Sequence, residues 1–275
     1  MTDPVLDISG AALRLRGREL WSGLDLTVDP GEFIAVLGPS GSGKTTLLRA
    51  ILGLRQLSEG RIHVDGRPVR RGNKRVGYIP QQRPFPLGTS LRARDLVALG
   101  VNGTRFGVPV PRRGDRARVD ELLGAVGAAS YADDPVGSLS GGEQQRLRIG
   151  QALADRPSLL LCDEPLSSLD LKNQRAVVGI IDEQRAATGA GVVFVTHDIN
   201  PVLGVVDRIL YIAGGRFRLG TPEEVLRSEV LSDLYGAPVE VVRTAGRLLV
   251  AGIPEGEPHH PHHDHDHDED EREGF

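Results

Sequence analysis

The sequence predicts an α/β fold, a parallel sheet core with helices on both faces, carrying an antiparallel β subdomain and an α-helical subdomain. Three observations point there. Short apolar runs at residues 33–37, 159–162, 192–196 and 208–212 have strand length and the near-continuous apolar character of strands buried on both faces. Helical stretches alternate with them, the order that builds parallel sheets. Elsewhere apolar alternation is broken by turn signals, which is an antiparallel habit.

The elements follow in order. The first 30 or so residues and residues 61–78 show the broken alternation, with Val64-Asp65-Gly66-Arg67 as a turn, so both stretches are expected in the antiparallel layer. The run 33–37 leads through a glycine-rich segment into a helical run at 47–54. Between residues 84 and 156 the apolar spacing becomes three-to-four, with Leu91, Leu96, Val97 and Leu99, then Val119, Leu122, Leu123 and Val126. That spacing predicts a helical insertion, and the Gly- and Pro-rich residues 102–114 read as its loop. Residues 1–254 are thus expected to form one domain. Residues 255–275 are rich in His, Asp and Glu and cannot bury enough apolar surface to offset chain entropy, so they read as a disordered tail.

With 275 residues, 39% of them hydrophobic, the chain can fill a core. No apolar run approaches the roughly 18 residues of a membrane span. Residues 1–10 carry acids rather than a basic stretch followed by an apolar one, so no secretory signal is expected. Cys162 is the single cysteine, which excludes an internal disulfide. The net charge of −4 conceals an asymmetry: nine acids and one arginine from residue 255 onward give −8, leaving +4 for the rest. The arginines are scattered rather than gathered in a stripe, so nucleic acid is not an expected partner.

Gly38-Pro39-Ser40-Gly41-Ser42-Gly43-Lys44-Thr45 has the G-x-x-x-x-G-K-[ST] pattern between a strand and a helix, the context that gives the pattern meaning. Its glycines let backbone N–H groups turn around phosphates, the new helix presents its positive end, Lys44 reaches the β and γ phosphates, and the Thr45 hydroxyl ligates Mg2+. With Thr46 these residues form the expected ATP-binding set. An acidic pair, Asp163-Glu164, follows the run 159–162; at a strand's carboxyl end it lies beside such a loop, where Asp163 holds Mg2+ and Glu164 polarises the attacking water.

Leu139-Ser140-Gly141-Gly142-Glu143-Gln144-Gln145-Arg146 selects among phosphate-binding enzymes, because it resembles the signature of the ABC transporter ATP-binding subunits. Ser140, Gly141 and Gly142 stand at a helix start, a second anion-binding end. The resemblance spans residues 5 to about 240 and implies a P-loop NTPase of ABC type. It implies that Ser140, Gly141, Gly142 and Glu143 cover the γ-phosphate held by an opposite copy. Ser167-Ser168-Leu169-Asp170 resembles the family's D-loop, with Asp170 at the partner's site and Ser168 where alanine is more usual. His197, after Val193-Phe194-Val195-Thr196, resembles the switch histidine. Gly77-Tyr78-Ile79-Pro80-Gln81-Gln82 resembles the Q-loop, with Gln81 as the aligned Mg2+ and water ligand and Gln82 as the alternative register. Residues 83–95 are then the expected docking surface for a membrane subunit. The aromatic that stacks on adenine is missing: Leu15, between Arg14 and Arg16, is aligned there, and Trp21 reads as packing.

The implied enzyme is an ATPase with Glu164, His197, Lys44 and Gln81 as catalytic residues and ATP and Mg2+ as cofactors. Its implied partners are a second copy in a head-to-tail sandwich, integral-membrane permease subunits and, indirectly, a substrate-binding protein. It would sit in the cytoplasm, peripheral on the inner face of the plasma membrane. Six of the eight histidines, His259, His260, His262, His263, His265 and His267, alternate with Asp and Pro in the tail. Imidazoles interleaved with carboxylates suit exchangeable Zn2+ at overlapping sites; an expression tag is usually an unbroken His run. With Gly220-Thr221-Pro222-Glu223-Glu224-Val225-Leu226, Leu234-Tyr235-Gly236 and a strand-like 239–242, the chain is most similar to the zinc-importer branch. Manganese, iron, nickel or cobalt import stays open, as do a soluble ABC ATPase acting on ribosomes or DNA and a metal buffer.

Overall fold

The computed structural model describes residues 3–15, 17–81, 84–103, 113–244 and 246–252. A six-stranded sheet forms the centre. It contains β3 (Phe33–Leu37), β6 (Val76–Ile79), β7 (Leu159–Asp163), β8 (Gly191–Val195), β9 (Arg208–Ala213) and β10 (Arg216–Gly220), ordered β10-β9-β3-β8-β7-β6. Every pairing is parallel except β9 with β10. In β3, β7 and β8 every residue is buried, which explains why all of them are apolar or glycine except Asp163, the last residue of β7.

The two faces of this sheet face different layers. Ile34, Val36, Leu159, Leu161, Val193 and Val195 point to a core shared with α1 (Lys44–Ile51) and with an antiparallel sheet. That sheet is built from β1 (Leu6–Leu15), β2 (Arg18–Val28), β4 (Glu59–Val64) and β5 (Arg67–Pro68), ordered β2-β1-β4-β5. Phe33, Ala35, Leu160, Cys162, Val192 and Phe194 point the other way, into the core of the helices α2 (Ala93–Asn102), α3 (Arg113–Ala125), α4 (Gly141–Ala152) and α5 (Leu171–Thr188). The strands alternate in direction of side chain as pleating requires. After β10 come α6 (Pro222–Val225), α7 (Ser228–Tyr235) and a hairpin of β11 (Val239–Thr244) with β12 (Arg247–Gly252).

Four expectations are corrected. Residues 76–78, expected in the antiparallel layer, belong with Ile79 to β6 at the edge of the parallel sheet, in register with β7. An edge strand alternates in burial, here half-buried and buried in turn, and so imitates an antiparallel sequence. Gly77 permits its position, because a Cβ there would lie 2.7 Å from the Ala152 carbonyl oxygen. Leu99, expected on the apolar face of its helix, is 51% exposed. The contact with α4 is instead made at Gly100, whose Cβ would meet the Gln151 carbonyl oxygen at 2.5 Å, so close backbone approach turns Leu99 outward. The helical run expected to reach residue 54 stops at Ile51; Gly53, at φ +67°, breaks it. In the insertion, residues 84–92 are not helical and α2 begins at Ala93. Residues 104–112, within the expected loop 102–114, lie outside the described residues. Among the described residues no helix is long and apolar enough to cross a membrane.

Candidate functional site

Adjacent strands of the central sheet end at one edge, and their order sets the site. β3 ends before Gly38, β8 before Thr196 and His197, β7 at Asp163 with Glu164 next, and β6 two residues before Gln81. Since the order is β3-β8-β7-β6, these four groups lie in a row at the carboxyl ends of parallel strands, where open α/β sheets bind ligands.

The loop after β3 is shaped by its glycines. Gly38 has φ +140° and Gly43 has φ +100°. A Cβ on Gly38 would come 2.0 Å from the Ile212 carbonyl oxygen, and one on Gly43 2.8 Å from Nε1 of the wholly buried Trp21. Trp21 is thus packing under the loop, as its sequence context suggests. Lys44, only 7% exposed, donates from Nζ to the carbonyl oxygens of Gly38 at 2.7 Å and Pro39 at 2.9 Å. Burial lowers its pKa below the usual lysine value, opposed by the charges of Glu164 and Asp163. Ser42 Oγ is buried with no hydrogen-bond partner, an orphan polar atom in a loop whose pattern suits phosphate. Thr46 follows on α1, half-buried.

Asp163 is held from both oxygens. Thr45 Oγ1 donates to Oδ1 at 3.0 Å and Tyr78 Oη to Oδ2 at 3.1 Å. Burial, then the Asp163 charge and this hydrogen bond, push the Tyr78 phenol up to about 12, so it remains a donor. Glu164 takes φ +46°, a left-handed conformation uncommon for a non-glycine residue, and its N–H donates to the Val195 carbonyl oxygen at 3.0 Å. Gln81 Nε2 donates to Glu164 Oε2 at 3.2 Å, and His197 Nδ1 stands 3.9 Å from the same oxygen. Leu37, Gly38, Pro39, Ser40, Lys44, Glu164 and His197 line one cleft of about 510 Å³, whose far wall is Tyr211, Tyr235 and Leu248 to Val250.

The remaining expected site residues form a second cluster. Ser140 caps α4 in a reciprocal capping box with Glu143: Ser140 N–H donates to Glu143 Oε2 at 2.8 Å, and Ser140 Oγ accepts from the Glu143 N–H. The Glu143 carboxylate is thus turned back on the cap. Asp170 caps α5 by accepting from Asn173 N–H at 2.8 Å, and this bond lowers its pKa. Gly142 abuts Asn173, since a Cβ there would meet Oδ1 at 2.5 Å. Among the described residues, Ser140, Gly141, Gly142, Glu143 and Asp170 do not line the cleft that holds Lys44. Leu15, aligned with the adenine aromatic, is 37% exposed, and neighbouring Arg14 is engaged by Glu19 and Glu59, each at 3.2 Å. Gln82, Arg83, Arg16 and the tail histidines His259, His260, His262, His263, His265 and His267 lie outside the described residues.

Sequence reasoning missed Tyr78 and Asn173 as contributors. Tyr78 stood inside a quoted motif, two positions before the proline, where a strand side chain can face the site. Nothing in the spacing marks Asn173 beyond its place in the first turn of a helix.

A glycine-turned loop over a buried lysine, with an acidic pair at a neighbouring strand end, defines a P-loop hydrolase of nucleoside triphosphates. Residues 21–167 match the family described as ABC transporter, and the chain belongs to it, as an ATP-binding subunit with ATPase activity. It is 36% identical, over 85% of its length and 76% of the relative's, to the zinc import ATP-binding protein ZnuC of Chelativorans sp. (strain BNC1). It is 40% identical to the Fe(3+) ions import ATP-binding protein FbpC of Streptomyces coelicolor, over 82% of this chain and 64% of that one. It is 35% identical to the phosphonates import ATP-binding protein PhnC of Caulobacter vibrioides, over 88% and 97%. Among solved structures, a chain of an ABC transporter in an inward-facing conformation superposes with a TM-score of 0.75 at 26% identity, covering 91% of this chain and 97% of that one.

Proposed function

We propose that two copies of this chain sandwich two ATP molecules head to tail and, docked on membrane permease subunits at the cytoplasmic face, power the import of zinc delivered by a separate binding protein. The separation of the site residues into two clusters supports the sandwich. Each chain carries a phosphate loop with Lys44, Glu164 and His197, and apart from it a capped helix start at Ser140 to Gly142 beside Asp170. A head-to-tail pair brings the second cluster of one copy over the first of the other.

Within each composite site, residues 38–46 bind and orient the phosphates, and Lys44 neutralises their charge once its carbonyl partners yield it. Glu164 orients the attacking water in line with the bond, and Gln81 and His197, both facing Glu164 Oε2, position that water and the γ-phosphate. Thr45 and Asp163 are hard oxygen donors already 3.0 Å apart and fit Mg2+, with the Gln81 amide oxygen as a further ligand. When bound, Mg2+ supplies charge neutralisation at the phosphates.

The single observation that carries zinc is the alternation of six histidines with aspartates in residues 259–268, a donor set for a borderline metal ion rather than for a phosphonate. Two measurements test the function. Glu164→Gln is expected to trap an ATP-bound dimer visible by size-exclusion chromatography, and full turnover by that variant overturns the role of Glu164. Disrupting the gene is expected to arrest growth in chelator-treated medium, with rescue by a zinc salt; rescue by iron(III) alone overturns the cargo.

A further inference from the structure

We propose that Asn200 and the carboxyl-terminal hairpin form a brace that positions His197 for hydrolysis. The inference rests on the assignment of His197 to the reaction and adds a residue and an element that act through it.

Little holds the histidine side chain itself. Its side chain is 68% exposed and approaches Glu164 at 3.9 Å, too long for a hydrogen bond. A ring so placed takes its position from its backbone. That backbone is the turn at residues 196–200, pinned at one end because Thr196 is buried at the end of β8 and its Oγ1 donates to the Asp198 carbonyl oxygen at 2.8 Å. Asn200 pins the other end. Its N–H and Nδ2 both donate to Asp198 Oδ1, at 2.9 and 2.7 Å. The same carboxamide reaches across 48 residues to β12: Nδ2 donates to the Leu248 carbonyl oxygen at 2.9 Å, and Oδ1 accepts from the Leu248 N–H at 2.8 Å.

A brace must itself be fixed, and the hairpin is. Val239 and Leu248 are buried in the main core. Val239 N–H donates to Ser232 Oγ at 2.9 Å and Val241 N–H to Ser228 Oγ at 3.0 Å, tying β11 to α7. Leu248 and its neighbours then stand as the wall of the cleft that contains Lys44, Glu164 and His197. One amide thus joins the hairpin's backbone to the turn that carries the histidine, and a paired donor and acceptor fix direction as well as distance.

The test compares steady-state ATP hydrolysis by the full chain for wild type, Asn200→Ala, His197→Ala and the double variant, with hydrogen exchange of residues 196–200 and thermal melting of each. Asn200→Ala is expected to lower kcat about tenfold, to leave KM for ATP within about twofold, and to accelerate exchange at residues 196–200. Because Asn200 acts through His197, the double variant is expected to be no slower than His197→Ala. Wild-type kcat in Asn200→Ala, or losses that multiply in the double variant, overturn the proposal. If His197→Ala keeps full turnover, the role of His197 falls, and the brace as a hydrolysis device with it. Unchanged exchange in a folded Asn200→Ala removes the brace alone and leaves the role of His197 standing.

Discussion

Replacing Gly38 with alanine, and separately Gly41, isolates what the phosphate loop demands of the chain. Both glycines have positive φ, +140° and +80°, so both substitutions force an L-residue into a disfavoured backbone region. They differ in surroundings. A Cβ on Gly41 meets nothing within 4 Å, whereas one on Gly38 would lie 2.0 Å from the Ile212 carbonyl oxygen and 3.1 Å from Ser42 Oγ. That carbonyl cannot swing away, because the parallel pairing of β3 with β9 holds Leu37 opposite Tyr211 and β9 is itself paired with β10. Gly41→Ala therefore costs the conformational term, roughly 1–2 kcal/mol. Gly38→Ala adds to strain of about 1–3 kcal/mol an overpacking cost of about 1–3 kcal/mol, for roughly 2–6 kcal/mol in total. At about 2–4 °C per kcal/mol for a chain of this size, the midpoint falls by roughly 2–8 °C for Gly41→Ala and roughly 4–24 °C for Gly38→Ala. Thermal unfolding followed by circular dichroism without nucleotide measures both. Equal shifts would refute the claim that crowding by β9, rather than φ alone, requires glycine at position 38.

Two further outcomes follow from the same geometry. Tyr78→Phe removes the 3.1 Å hydrogen bond to Asp163 Oδ2 with little change of shape. A bond to a charged group is worth about 1.5–3 kcal/mol, so the Mg2+ concentration for half-maximal ATPase is expected to rise at least about tenfold, while ATP binding in EDTA stays as in wild type; an unchanged Mg2+ requirement refutes it. Lys44, held below the lysine value of 10.5 chiefly by burial, regains its charged form beside phosphates. Nucleotide binding at alkaline pH is therefore expected to take up a proton, and affinity to weaken as the pH rises through the lowered pKa of the free protein. Calorimetry in buffers of different ionisation enthalpy checks this, and a binding enthalpy independent of buffer at alkaline pH contradicts it.

What could be read from the sequence depended on whether a feature's cause is local. The strands β3, β7 and β8 were legible because burial on both faces leaves apolar runs interrupted only at Asp163, where β7 reaches the site, and the phosphate loop because its glycines and lysine stand in one contiguous stretch, residues 38–45. β6 was misassigned because its membership is decided by β7, more than 80 residues on, and its one-sided burial mimics an antiparallel strand. Leu99 was misplaced because periodicity assumes side chains make the helix contact, and here Gly100 makes it by backbone approach to Gln151. The site divides in the same way. Lys44, Thr45, Asp163, Glu164 and His197 sit in contiguous patterns. Tyr78 and Asn200 act through partners 85 and 48 residues distant, and a lone hydroxyl or carboxamide has no period to betray it. The left-handed conformations of Glu164, at φ +46°, and Ser168, at φ +65°, are likewise invisible in residue type, since neither is glycine. Such strain persists only where the surroundings over-determine it. At Glu164 they do: the N–H is bonded to Val195 on the neighbouring strand and the carboxylate accepts from Gln81. The energy that holds Glu164 in its unfavourable backbone is thus drawn at once from β8, through Val195, and from Gln81 just beyond β6, and for that reason the conformation is a property of the sheet's carboxyl edge rather than of the acidic pair.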